Sequence, residues 1–569
     1  MDLDQAMLLL AQALNSQMEN PGSDGLTESV RAGLLELLVN GRAPSSLGAV
    51  EQQSLLSWAA AQRDRGSDPV GEIYQQMLRR ELVILTGNRL EIRAERREHR
   101  RSGAYYTAED VVRYIVRRAR ELLPSATTLI DPACGAGAFL QAAREAFDGA
   151  LSLVGWDLDP LAVALCRSRV PQAELHVRDA LLTEEPGAYD LCLGNPPFIS
   201  SGLRGAVVHD PERLRALRQR YPHAAEYKLN TYPLFVERGL ELLRPGGILG
   251  FILPDSFLTG RYFAGLRRLL LQHSLLELSL IRQDFWSHGR VGQSVILFVR
   301  KGPAVPGEQV RVRICDTPGE LENERVDEVS LEEVVWGPLR RFRLVPDPVT
   351  RQMLRQMEAQ AQPLGHWLHS YSGLIGRRGQ ASLLVRPEDP QSCLGPTGRL
   401  LRSGREIDRY CLKWGGALVC LDPALIKSGG NHLYYQRPKL LLRQTADSLR
   451  AVLDDQGYYC LNNIHLLVPA RGDANLRALL GLINSSPFGA FYRAVTMEAG
   501  RLYAQVDLDL LEGLPVPPLQ PEHLSALEAL VAARESAAPD EAALLERQID
   551  EQVEALYGLV TGANGYGSE

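Results

Sequence analysis

Apolar residues near the start of the chain recur at helical spacing, and further along the pattern changes period. Met7-Leu8-Leu9-Leu10-Ala11 and Val30-Arg31-Ala32-Gly33-Leu34-Leu35-Glu36-Leu37-Leu38 predict amphipathic helices. Pro21-Gly22-Ser23-Asp24-Gly25 and Ala43-Pro44-Ser45-Ser46 mark the breaks, and a third amphipathic stretch runs over 70–85. Residues 1–100 therefore read as a helical N-terminal region. Over 101–305, β-type apolar runs alternate with helical patterns. The runs are Thr128-Leu129-Ile130, Leu153-Val154-Gly155-Trp156, Tyr189-Asp190-Leu191-Cys192-Leu193, Ile248-Leu249-Gly250-Phe251-Ile252-Leu253 and Ser294-Val295-Ile296-Leu297-Phe298-Val299. Such alternation predicts an α/β fold, a doubly wound Rossmann-like and mostly parallel sheet with helices on both faces. Residues 306–360 read as a connector. Residues 361–515 mix short strands, Gly-rich turns and basic residues, as a mixed α+β recognition domain would. Residues 516–569 read as a tail of one or two acidic helices.

Composition agrees with several folded domains. Of 569 residues, 45% are hydrophobic and 23% charged, and the 50 Gly and 34 Pro have no repeating period. A collagen, a coiled-coil rod and wholesale disorder are excluded. No apolar run approaches the roughly 20 residues of a membrane span, and the N-terminus lacks a signal-peptide layout, so a cytoplasmic protein of bacterial type is expected. The eight Cys are scattered without a CxxC pair, so neither a zinc site nor a disulfide framework is expected.

The net charge of -7 disfavours a nucleic-acid partner only until it is divided by segment. Residues 89–120 hold 10 Lys/Arg against 5 Asp/Glu, and 361–515 hold 17 against 13. The tail, 516–569, holds 2 against 10. Phosphate contacts depend on local patches, and here two internal stretches are basic.

Four strand tips carry candidate chemistry. The first is Asp131-Pro132-Ala133-Cys134-Gly135-Ala136-Gly137, a turn that lets backbone approach a ligand at the carboxyl end of a sheet. It lacks the third glycine of a dinucleotide fingerprint and the Gly-Lys-Ser/Thr of a P-loop. The second tip carries Asp157, 20 residues beyond Gly137, placed to accept hydrogen bonds from ribose hydroxyls, with Asp159 as a helix cap. The third carries Asp179, a candidate acceptor for an adenine amine. Together they favour an adenosyl cofactor without pyrophosphate. The fourth is Asn195-Pro196-Pro197-Phe198, where two prolines stiffen a loop that offers an amide, carbonyl oxygens and a ring.

In this order the tips resemble the gamma-class N6-adenine DNA methyltransferases of the TaqI-like family, in which (N/D)PP(Y/F) is the catalytic tetrapeptide. The resemblance covers most of 72–560. It extends to Gly103-Ala104-Tyr105-Tyr106-Thr107, though Ala108 stands where the family usually has Pro. Asn230-Thr231-Tyr232-Pro233-Leu234-Phe235, Leu243-Arg244-Pro245-Gly246-Gly247, Arg443-Gln444-Thr445-Ala446-Asp447, Asn462-Asn463-Ile464-His465 and Leu482-Ile483-Asn484-Ser485-Ser486-Pro487 are also similar. The likeness implies S-adenosyl-L-methionine as cofactor and double-stranded DNA as substrate. It implies that Thr107, Asp131, Pro132, Ala133, Cys134, Gly135 and Gly137 line the methionine end. Asp157 would hold the ribose, and Asp179, Phe235 and Pro197 the adenine. Asn195 and Pro196 would accept the target amine and Phe198 would stack on the base. Phe285 or Trp286 would supply a second ring. Apart from the likeness, Arg377 and Arg378 stand in the Gly-rich segment Tyr371–Gly379, read as a flexible loop suited to phosphate or guanine contacts.

Residues 1–102 hold no ExK or DxK nuclease triplet, so a restriction–methylation fusion that cleaves by itself is not expected, and a cognate restriction endonuclease or defence partner is left open. Rival readings are a methyltransferase subunit of a larger complex, a methylase of protein glutamine, and a catalytically silent DNA-binding subunit.

Overall fold

The computed structural model describes residues 107–559 apart from 200–210, 227–228, 287–291, 324–325, 386–392, 446–447, 471, 473 and 498–504. It also describes 3–15, 29–34, 37, 49–63, 76, 80–85 and 89–94. The chain forms two compact units, one of 1–334 with 339–342 and one of 335–338 with 343–569. Among the described residues no helix is long and apolar enough to cross a membrane.

The first unit is organised by nine strands: β1 (Thr128–Asp131), β2 (Ser152–Asp157), β3 (Glu174–Val177), β4 (Tyr189–Gly194), β5 (Leu243–Pro254), β6 (Ser274–Ile281), β7 (Ser294–Arg300), β8 (Gln309–Cys315) and β9 (Asp327–Ser330). Their order in the sheet is β9-β8-β6-β7-β5-β4-β1-β2-β3. β3, β2, β1, β4 and β5 are parallel neighbours, and β7 runs antiparallel to both β5 and β6. The order reverses direction between β1 and β4. A crevice opens at such a switch point, outside the carboxyl ends of the strands.

All five apolar runs named above lie in strands. β6 escaped the pattern because Ser274, Glu277 and Ser279 interrupt its apolar residues, yet all eight of its residues are buried. Glu277 is buried with partners: it accepts from Tyr114 at 2.5 Å and from Arg118 at 2.9 Å. Both donors come from helix α1 (Glu109–Leu122). Charge pairing of this kind is what makes a buried carboxylate tolerable.

Helices α2 (Ala138–Ala146), α3 (Pro160–Arg169), α4 (Pro211–Arg220) and α5 (Thr231–Leu242) follow strand tips or loops. Of the first two predicted helices, one is found at Leu3–Asn15 and the other is helical at residues 29–34 and 37, while Ala49–Arg63 is a further helix that the pattern did not single out. Leu3, Met7, Leu10, Leu55 and Trp58 form one cluster with Ala162 and Leu165 of α3, so this region braces the sheet's helical layer. The third predicted helix, over 70–85, is corrected at its end; Gln76 within it is helical, and the other residues of 70–79 lie outside the described residues. Arg80–Leu85 pairs with Arg89–Ala94 as antiparallel strands, and the β-branched Val83 and Ile84 favour strand over helix there. The lead-in residues Gly103–Tyr106 and the basic residues of 95–106 lie outside the described residues, as do Ala446 and Asp447.

In the second unit, β10 (Leu368–Ser372), β13 (Lys439–Arg443), β14 (Ala451–Asp454) and β15 (Ile464–Pro469) form an antiparallel sheet in the order β10-β15-β13-β14. β11 (Thr397–Leu401) pairs with β12 (Leu418–Cys420) beside it. The acidic tail is two helices, Pro521–Ser536 and Pro539–Tyr557. Their Leu527, Val531, Ile549 and Val553 join the core built by Leu440, Leu442 and Leu467. A disulfide joins Cys393 to Cys420, which corrects the expectation of no such bond. The pairing of Thr397 with Cys420 brings the two cysteines together across 27 residues, a proximity that spacing alone does not reveal.

Candidate active site

The predicted strand tips converge along the carboxyl edge of β3-β2-β1-β4. Asp131 ends β1 at 1% exposure, and its Oδ1 accepts from the Ala133 N–H at 3.1 Å. Burial pushes its carboxyl up to about 8; the Ala133 N–H opposes this and the charge of Asp157 adds to it. Pro132 and Cys134 are buried, and the Cys134 N–H is tied to the Trp156 carbonyl at 2.8 Å. The next turn depends on glycine conformation. Gly135 has φ +50 and Gly137 φ +87, and a Cβ on Gly137 would stand 2.5 Å from Cys166 Sγ.

Asp157 at the tip of β2 fastens this turn. Its Oδ2 accepts from the Gly135 N–H at 2.8 Å and its Oδ1 from the Asp159 N–H at 2.9 Å. Burial raises its pKa, with those N–H groups pulling the other way. Asp159 caps α3 as predicted, accepting from the Leu161 N–H at 2.9 Å. Leu158, between the two carboxylates, is 63% exposed, an apolar side chain at the carboxyl edge of the sheet. Asp179 lies beyond β3. One of its oxygens accepts from the Leu181 N–H at 3.0 Å and the other pairs with Arg213 of α4. Arg213 has no local signature and stands 34 positions away, so sequence reading could not find it.

At the tip of β4, Asn195, Pro197 and Phe198 are half-buried and Pro196 is buried. A Cβ on Gly194 would stand 2.7 Å from Asp131 Oδ1, so the Asn195–Phe198 loop leaves β4 against the β1 tip and only glycine fits there. The loop is tied at both ends. Asn195 Nδ2 donates to Thr107 Oγ1 at 3.0 Å. At the far end Thr231 donates its hydroxyl to the Pro197 carbonyl, accepts from the Ile199 N–H at 2.8 Å, and donates its own N–H to the Ile199 carbonyl at 2.9 Å. Thr107 is thus brought to the Asn195–Phe198 loop. Phe235, on the helix that Thr231 begins, is buried.

An aromatic group surrounds Phe198. Its ring meets Tyr232 edge-on at 6.1 Å and Trp286 edge-on at 5.7 Å. Phe285 stacks on Trp286 at 4.8 Å, and Phe263 stands 5.6 Å from Tyr232. Trp286 is 5% exposed with its Nε1–H donated to Ser294 Oγ at 2.9 Å, whereas Phe285 is half-buried. Thr231 and Tyr232 lie inside the Asn230–Phe235 resemblance, which did not say what each side chain does; Phe263 carries no signal.

Arg377 and Arg378 are exposed, on a turn that follows the pairing of Ile375–Gly376 with Ile426–Ser428. This segment is hydrogen-bonded rather than a free loop, since the Arg377 N–H donates to the Leu425 carbonyl at 2.9 Å. Other signatures of the second unit build its frame. Asn463 Nδ2 donates to the Arg402 carbonyl at 2.9 Å, His465 Nε2 lies 2.9 Å from the Val506 carbonyl, and Ser485 caps the helix Ser486–Thr496.

Residues 400–516 match the TaqI-like C-terminal specificity domain, and 167–283 match the Eco57I restriction-modification methylase. The Type II methyltransferase M.TthHB8I of Thermus thermophilus is 30% identical over 420 residues, covering 73% of this chain and 90% of that one. The Type II methyltransferase M.BstVI of Geobacillus stearothermophilus is 22% identical over 361 residues, covering 53% of this chain and 63% of that one. Among solved structures, the Type IIL restriction-modification enzyme MmeI in complex with DNA shares the fold, with a TM-score of 0.60 and 14% identity over 98% of this chain and 91% of that one. On the extent of the likeness to M.TthHB8I, the chain belongs to the TaqI-like family of Type II restriction-modification DNA methyltransferases.

Proposed function

We propose that this chain transfers the methyl group of S-adenosyl-L-methionine to the N6 amine of an adenine rotated out of duplex DNA, at one defined sequence, in restriction-modification or phage defence. The observation that carries this reading is the placement of Asn195-Pro196-Pro197-Phe198 at the tip of β4, against the Asp131 tip of β1, with Phe198 inside an aromatic group.

The crevice suits this donor. Asp131 is a buried carboxyl raised to about 8, a poor place for an isolated negative charge and a good one for a cationic ligand. A Cβ on Gly135 meets nothing within 4 Å, so the turn presents bare backbone to the crevice. Asp131 and the Ala133–Gly137 turn would hold the methionine end, and Asp157 the ribose. Leu158 and Phe235 would flank the adenine, whose amine Asp179 would accept. The donor, when bound, supplies a methyl group on a positively charged sulfur, already activated for transfer.

The adenine amine is a weak nucleophile because its lone pair is delocalised into the ring. The Asn195 amide oxygen and the Pro196 carbonyl each accept one amine hydrogen. Those bonds favour a pyramidal nitrogen and strengthen as positive charge develops on it, so they stabilise the transition state more than the ground state. The proton leaves to water after attack, so no base need act first. Rotating the nucleotide out costs a few kcal/mol. Phe198 stacking on the base returns about 1–3 kcal/mol. Phe285 is the second base contact, and Trp286, fixed by Ser294, is its support.

Asn195→Ala tests the reading. Methyl transfer to plasmid should fall by roughly 10²–10³-fold, the usual effect of removing one transition-state hydrogen-bonding group, while affinity for the cofactor stays near wild type. A variant that methylates at the wild-type rate refutes the proposed chemistry.

A further inference from the structure

We propose that Thr107 is a positioning residue for Asn195: its hydroxyl engages the amide nitrogen, so that the amide oxygen is the atom presented to the target amine. The inference rests on Asn195 being the amine acceptor, and it gives Thr107 a task distinct from lining the cofactor.

The two edges of a primary amide are opposite in kind, one a donor pair and one an acceptor. A half-turn about the terminal torsion exchanges them, and that torsion is broad and intrinsically two-fold. With the nitrogen edge toward the target, amide hydrogens would face amine hydrogens and the attack geometry would be lost. Asn195 Nδ2 donates to Thr107 Oγ1 at 3.0 Å, which places the nitrogen on the Thr107 side.

Thr107 is built to be a fixed stop. It is 6% exposed, it directly precedes Ala108, which caps α1, and β-branching restricts its rotamer. The surrounding loop makes such a stop useful. Pro196 and Pro197 have no backbone N–H, so those two positions offer no main-chain donor to tether the near half. The far half is fastened by Thr231 through Pro197 and Ile199. Thr107 holds the near end through the side chain that does the chemistry, 88 positions away in sequence.

The test compares full-length Thr107→Val, which keeps the shape and removes the hydroxyl, with Thr107→Ser, which keeps the hydroxyl. Thr107→Ala stands in if valine disturbs folding. Two quantities are read: kcat at saturating S-adenosyl-L-methionine and DNA, and the equilibrium Kd for S-adenosyl-L-methionine, which also reports that the fold is intact. The kcat should fall about 10²-fold in Thr107→Val, the cost of a misplaced reacting group, with Kd within about twofold and with most of the rate recovered in Thr107→Ser. A Thr107→Val kcat within about twofold of wild type overturns the proposal, whether or not Kd rises; a rise in Kd alone would make Thr107 a cofactor contact. Asn195→Ala run in parallel separates the two ideas. If it retains wild-type rate, the acceptor reading fails; if it is inactive while Thr107→Val is not, only the positioning role fails.

Discussion

The two units hold their candidate functional residues in opposite ways. In the first, a parallel sheet brings Asp131, Asp157, Asp179 and Asn195 to one edge, each at the end of a successive strand or just past it. In the second, small antiparallel sheets return the chain every few residues, and its polar side chains largely hold the unit together. Lys439 and Asp454 are both buried, 2.5 Å apart, and Asp454 also accepts from the Gln456, Gly457 and Tyr458 N–H groups. A parallel sheet concentrates chemistry where all strands end, whereas short antiparallel pieces spread their exposed residues over many turns.

Exchanging 361–515 for the matching segment of a relative is the largest perturbation of this contrast. The methylated sequence should change outright while the methylated atom stays the same, read by mapping modified bases on plasmid. An unchanged target would mean that the division of labour is misplaced. Lys439→Met should come next. It leaves the Asp454 charge buried without its cation, a loss of about 3–5 kcal/mol in stability, seen as an earlier unfolding transition of the second unit. Cofactor affinity should be retained if the first unit holds its own fold; a parallel loss of cofactor binding would break the separation of the two.

The smallest expected effect concerns pH. Burial, chiefly, holds the Asp131 carboxyl at about 8, so before cofactor binds it is mostly protonated at neutral pH. A cationic ligand favours the carboxylate, so binding releases a proton. Affinity should therefore rise with pH, by at most about tenfold per unit below 8, and level above it. Titration calorimetry in buffers of different ionisation heat measures that proton directly. A flat profile between pH 6 and 8 would show that Asp131 does not meet the cofactor's charge.

The contrast also sets what the sequence could reveal. Strand tips were legible because β-type runs end at short, chemically distinct loops: the glycine turn, Asp157, Asp179 and the Asn-Pro-Pro-Phe tetrapeptide. What holds those loops was not. Arg213 and Thr231 act from helices 34 residues from the groups they bind, a separation with no period to expose it. β6 was hidden by Glu277, whose burial depends on Tyr114 and Arg118, 163 and 159 positions away in sequence. Arg80–Leu85, the end of the stretch 70–85, reads as amphipathic helix until its strand pairing with Arg89–Ala94 is seen. In the second unit the family signatures were legible as sequence, but Asn463, His465 and Ser485 proved to bind backbone within the unit, so their presence does not identify the DNA-reading side chains.

Incubating the purified chain with S-adenosyl-L-methionine and plasmid, followed by methylation-resolved sequencing, tests the central claim most directly. N6-methyladenine at one recurring sequence, formed roughly 10²–10³-fold more slowly with Asn195→Ala, is the predicted result. Methylation of cytosine, or none at any base under conditions where the cofactor binds, would contradict it.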